Sequence, residues 1–92
     1  MTKTARKRLE KSEFYRETYN IVAVLNIAMA RKEDDELVQA LFSKWRLAQT
    51  ALKHITGKHY DFSRTEVGNG IAFSVRNGED RIMQGFYRCN AE

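Results

Sequence analysis

Proline is absent from this 92-residue chain, and no glycine occurs from residue 2 to residue 56; all five glycines fall between Gly57 and Gly85. A half without breakers can run as long helices, whereas a glycine-rich half must turn often. Cysteine is nearly missing too. Cys89 stands alone, which excludes an intramolecular disulfide and suits a reducing cytoplasm. No long hydrophobic run exists: residues 21–30 are interrupted by Asn26 and fall far short of the roughly 20 residues that cross a bilayer, so no membrane association is expected. After the basic N-terminal flank, Glu10, Lys11 and Glu13 stand where a secretory signal needs apolar residues, so no such signal is expected.

What is present is an ordinary globular composition, 42% hydrophobic and 30% charged, which argues against disorder and fits one domain over residues 1–92. The net charge of +4 is unevenly placed. Lys3, Arg6, Lys7 and Arg8 precede any acid, and the rest of the chain balances, so the whole excess sits on an arm within residues 1–10. That arm reads equally as a phosphate-neutralising extension or as an unstructured solubility tail. A second basic stretch runs through Lys44, Arg46, Lys53, Lys58 and Arg64, opposed only by Asp61, while acids gather at residues 33–36.

Val38, Leu41, Trp45, Ala48, Leu52 and Ile55 step by three and four, which predicts a helix over residues 35–56. Asp34 or Asp35 is expected to cap its start, and Gly57 to stop it. Upstream, Phe14, Ile21, Leu25 and Ala28 share one face and Tyr15, Tyr19, Val22 and Met29 the next, predicting a mostly buried helix over residues 12–30, or one starting as early as Thr4 with a frayed basic first turn. The β-branched residues Ile21, Val22 and Val24 leave a buried strand as the alternative there. Beyond Gly57 the period becomes two. Tyr60 and Phe62, then Ile71, Phe73 and Val75, then Ile82 and Phe86 predict three strands with inward apolar residues. Turns are expected at Gly68, Asn69 and Gly70 and at Asn77 with Gly78, and a bulge at Gly85. Ser63, Thr65, Ser74, Arg76, Met83 and Tyr87 are expected on the opposite face. The fold class expected is α+β: two helices, then a three-stranded antiparallel sheet.

Catalytic constellations are lacking. His54, His59 and Cys89 are too few for structural zinc, and no glycine-rich loop carries the lysine and following helix of a phosphate-binding loop. The pair Asp34 and Asp35 is more simply a helix cap than an acid and base. We therefore expect no enzyme activity, no metal, no cofactor and no small-molecule substrate. Basic residues interleaved with aromatics remain, and such a mixture can hold phosphates and stack bases. Trp45, on the apolar stripe, reads as core instead.

From the opening MTKTARKRLEKSEFYRETYN through WRLAQTALKHITGKHYDFSRTEVGNG to RIMQGFYRCNAE, the chain resembles the phage-encoded anti-CRISPR proteins that inhibit the type I-F (Csy) surveillance complex. The resemblance implies a non-enzymatic inhibitor in the cytoplasm of an infected bacterial host. Its partners would be Cas protein subunits and guide RNA, and it would block target DNA binding or hybridisation. Several such inhibitors mimic DNA with acidic surfaces; this chain is basic outside residues 33–36, so contact with guide-RNA phosphates or acidic protein patches is the expected mode. Charge alone selects Arg6, Arg8, Lys44, Arg46, Lys58, Arg64, Arg76 and Arg81 as partner-binding candidates, with Tyr60 and Tyr87 as anchors. The alternative is a small basic phage regulator that binds nucleic acid in winged-helix manner; the acidic start of its second helix speaks against that.

Overall fold

The computed structural model describes residues 2–88. Three helices, α1 (Lys3–Glu10), α2 (Glu13–Ala30) and α3 (Asp35–Thr56), precede three strands, β1 (Asp61–Val67), β2 (Gly70–Asn77) and β3 (Asp80–Arg88). The fold is α+β as expected, with three helices where two were anticipated. The extra one is the basic arm. Thr2 caps it by accepting a hydrogen bond from the Ala5 backbone N–H at 3.1 Å. A single hydroxyl then separates α1 from α2: Ser12 Oγ donates to the Leu9 carbonyl at 2.6 Å and accepts from the Tyr15 N–H at 3.1 Å.

Residues 21–30 are helical, and the strand alternative is discarded. The end of α2 carries no glycine. Lys32 takes φ 54° there, with its N–H on the Met29 carbonyl and the Glu33 N–H on the Ala28 carbonyl. This is the Schellman arrangement with lysine in the left-handed position that glycine usually fills. Substituting Lys32→Gly relieves that strain and is expected to raise stability by about 0.5–1 kcal/mol, read as a higher midpoint in urea with unchanged slope. Asp34 occupies the N-cap position of α3 but makes no side-chain cap bond. At the other end Gly57, at φ 77°, closes α3 through its N–H to the Lys53 carbonyl at 2.7 Å.

The strands form an antiparallel meander in the order β1-β2-β3. Both hairpins turn on two residues, Gly68-Asn69 and Gly78-Glu79, with positive φ only at the glycine. That fits type II′ turns, which take glycine first. Asn77 is thus not a turn residue: it ends β2, pairs with Asp80, and donates its side-chain N–H to the His59 carbonyl at 2.8 Å.

All three helices contribute to one core against a single face of the sheet, with Leu9, Val22, Leu25, Trp45 and Leu52 meeting Phe73, Val75, Ile82 and Met83. Trp45 sets its edge on Phe62, centroids 5.5 Å apart, and Tyr19 tilts over Phe73 at 5.8 Å. Two polar atoms in this core, Thr18 Oγ1 and Asn26 Oδ1, have no partner among the described residues. Ile55, expected on the buried stripe, is half exposed at the helix end.

One register shift corrects the expected faces of β3. Val75 pairs with Met83 and Arg76 with Arg81, so Ile82 is the extra residue and the bulge lies there rather than at Gly85. A bulge inverts the parity of everything beyond it. Ile82 and Met83 are both buried, Tyr87 turns to the helix side opposite Ile71, and Phe86 swings out to 54% exposure. Gly85 stays in register opposite Phe73, where a Cβ would collide with the Phe73 ring and the Tyr19 hydroxyl.

Candidate interaction surface

The helices cover one side of the sheet and leave the other open. On that open side β1 presents Asp61, Ser63, Thr65 and Val67, β2 presents Gly70, Ala72, Ser74 and Arg76, and β3 presents Arg81, Gln84, Phe86 and Arg88. Ser63, Thr65, Ser74 and Arg76 lie where the alternation placed them; Met83 and Tyr87 do not. Because the central positions are small, the sheet floor is depressed into a shallow hollow of about 550 Å³, its walls formed by Ser63, Thr65, Arg76, Arg81, Gln84 and Phe86 around Ala72 and Ser74. Ser63 and Ser74 hydroxyls meet across β1 and β2 at 3.2 Å. Phe86 lies over Gly70, whose missing Cβ makes room for the ring.

Arg76 and Arg81 stand directly opposite each other in the ladder. Like charges in register destabilise a sheet unless something negative sits between them. Asp61 faces Arg76 from β1, with its Oδ1 accepting the Phe62 N–H at 2.8 Å, and Arg81 donates to Gln84 Oε1 at 3.0 Å. Neither guanidinium has an ion pair among the described residues. The two therefore offer N–H donors from neighbouring strands to one polar hollow, suited to phosphate or carboxylate oxygens.

The other candidates go elsewhere. Arg6, Lys58 and Tyr60 converge on Asp80: Arg6 Nη1 lies 2.6 Å from Oδ1, Lys58 Nζ 3.3 Å from Oδ2, and the Tyr60 hydroxyl donates to Oδ2 at 2.5 Å. Arg6 also donates to the Arg81 carbonyl, and Tyr15 to the Ile82 carbonyl at 2.5 Å. The Tyr60 hydroxyl first, then Arg6, hold the Asp80 carboxyl down at about 2. Burial, helped by the hydrogen bond to Asp80 and then by its charge, pushes the Tyr60 phenol up to about 12. This cluster bolts α1 and the segment before β1 to the start of β3, and Tyr60 is fully buried, so it is no anchor for a partner.

Arg64 lies on the helix side of the sheet, half-buried, 3.6 Å from Glu66. Lys44 and Arg46 are exposed on α3 but sit about 200° apart around its axis, so they do not form one patch. Arg8 is exposed on α1 and Tyr87 half-buried. Of the ten candidates, only Arg76 and Arg81 share the open face. Sequence reasoning missed Phe86 and Gln84 as its members, and no signal marks the bulge at Ile82 that turns Phe86 outward. No three His, Cys, Asp or Glu side chains gather as a metal site among the described residues, and Cys89 lies outside them. No helix there is long and apolar enough to cross a membrane. Comparison with protein families, curated proteins and solved structures finds no match to this chain.

Proposed function

We propose that this chain is a non-catalytic binding protein that acts by covering part of a larger ribonucleoprotein, and that its open sheet face is the docking surface. The observation that carries the reading is the facing pair Arg76 and Arg81 at the end of a small-residue hollow, in no ion pair among the described residues. Hydroxyls on the floor and Phe86 at the rim add the hydrogen bonds and aromatic contact that interfaces use. The sequence resemblance supplies the target: the type I-F surveillance complex, met through guide-RNA phosphates or an acidic protein patch, with target DNA excluded as a result.

The test is target-DNA binding by the purified type I-F complex in the presence of the chain. Saturating protein should abolish DNA binding, and Arg76→Glu with Arg81→Glu should weaken inhibition by about 100-fold, from two charge-assisted contacts of roughly 1.5 kcal/mol each. Both side chains are exposed, so circular dichroism of the double variant should match the parent. Unimpaired DNA binding at saturation would sink the proposal. Tight, steeply salt-dependent binding of duplex DNA by the isolated chain would replace it with the regulator reading.

A further inference from the structure

The open sheet face is ordered along the strands as well as across them. Its residues fall into cross-strand rows about 7 Å apart, since two residues of β2 separate one row from the next. Arg76 and Arg81 make the first row, with Asp61 beside Arg76 on β1. Ser63, Ser74 and Gln84 make the second, and Thr65, Ala72 and Phe86 the third. Arg88 stands in the last row, opposite Gly70. The strand residues of this face thus set three cations against one carboxylate, and that carboxylate already accepts the Phe62 N–H. Phe86 leans over Gly70 and leaves its other side to solvent. The bulge at Ile82 is what brings this ring onto the face, two rows from the arginine pair.

Building on the reading of this face as the docking surface, we infer that its ligand is an unpaired RNA strand rather than an acidic protein patch. Along β2 the face offers two cations, then hydroxyls and an amide, then an aromatic ring, then a cation again. That order follows the parts of a nucleotide chain: phosphate, sugar hydroxyl, base, next phosphate. A protein partner would require an apolar centre, whereas here the centre is Ser63, Ser74, Thr65 and Ala72. The strand must be unpaired, because a base inside a duplex has both faces stacked and none left for Phe86. An unpaired strand also stretches beyond the ~3.4 Å per nucleotide of a duplex, so it can step from row to row. The floor selects RNA over DNA. The hydroxyls of Ser63, Thr65 and Ser74 each donate and accept, which a ribose 2′-hydroxyl can answer in both senses and a deoxyribose cannot.

The test uses the isolated chain and a fluorescein-labelled oligouridylate of about 12 nucleotides, followed by fluorescence anisotropy. At about 50 mM salt the Kd should be about 10–100 µM, and its logarithm against that of the salt should show a slope of magnitude about 2, from three phosphates. Phe86→Leu, which keeps apolar bulk and loses the ring, should weaken binding about 10-fold at an unchanged slope, while Phe86→Tyr should bind like the parent. Arg76→Gln with Arg81→Gln should instead reduce the slope to about 0.7. All three side chains are exposed, so circular dichroism of the variants should match the parent. Oligodeoxyuridylate should bind several-fold more weakly, and a self-complementary RNA duplex about 10-fold more weakly. No anisotropy change up to about 500 µM protein overturns the inference. So does a Phe86→Leu variant that binds like the parent, or tighter binding of the DNA strand or of the duplex. Exclusion of target DNA from the type I-F complex by a chain that ignores the oligouridylate overturns the RNA inference alone and leaves the docking surface standing; oligouridylate binding without that exclusion supports the RNA inference and sinks the proposed target.

Discussion

Replacing Asp80 with alanine lowers the unfolding free energy by about 3 kcal/mol, since the buried Tyr60 hydroxyl loses its acceptor and Arg6 and Lys58 lose their common partner. For a chain of this size the melting temperature should fall by roughly 10–20 °C. Tyr60→Phe provides the control. It deletes one donor and leaves Asp80 with Arg6 and Lys58, so about 1 kcal/mol is lost, and the double variant should cost less than the two singles added. The cluster also predicts a pH window with two edges. Asp80 titrates near 2 in the folded chain against an ordinary value of 3.8, so its contribution is complete above the unfolded value and disappears as pH falls from about 5 toward 2. Tyr60 is shifted the other way. Its contribution is intact below pH 10 and is lost as pH rises through the folded value of about 12. Asp80→Ala should flatten the acid limb and Tyr60→Phe the alkaline one, in urea midpoints measured across pH.

Trp45→Ala should cost about 4 kcal/mol, the largest single effect expected here, because it empties a site where α3 meets β1 and removes the edge contact with Phe62. At 2% exposure the indole has no face left for a nucleobase. Trp45→Phe, which keeps an aromatic ring, should recover more than half of the loss and leave partner binding unaltered. A variant that stayed as stable as the parent but lost its target would place the indole at the interface and contradict the packing described above.

Much of this architecture can be read from the chain because each level agrees with the next. The stripe from Leu41 to Leu52, the capping Ser12 and the stop at Gly57 all specify the same helices, and the alternation of Ile71, Phe73 and Val75 fixes the inner face of β2. The readings that failed share a cause: they depend on partners distant in sequence. Arg6 looks like a free cation until β3 brings Asp80 to it from 74 residues away. Tyr60 looks like an aromatic beside a basic run until the same carboxylate and Gln49, whose amide donates to the Tyr60 carbonyl at 2.5 Å, enclose it. Phe86 looks buried until one extra residue at Ile82 reverses its side. The open sheet face is half legible, since polar alternation gives Ser63, Thr65, Ser74 and Arg76, whereas charge counting scatters its candidates over every surface.

The Arg6–Asp80 link has a kinetic consequence. Helix pair and hairpins unite neighbours in the chain and can assemble quickly, while joining residue 6 to residue 80 closes a loop of nearly the whole polypeptide and bears the greatest closure entropy. The first helix is thus expected to dock last and leave first, a clasp whose release would uncover Leu9 and the flank of β3, read as amide exchange over residues 3–10 that is faster than global unfolding.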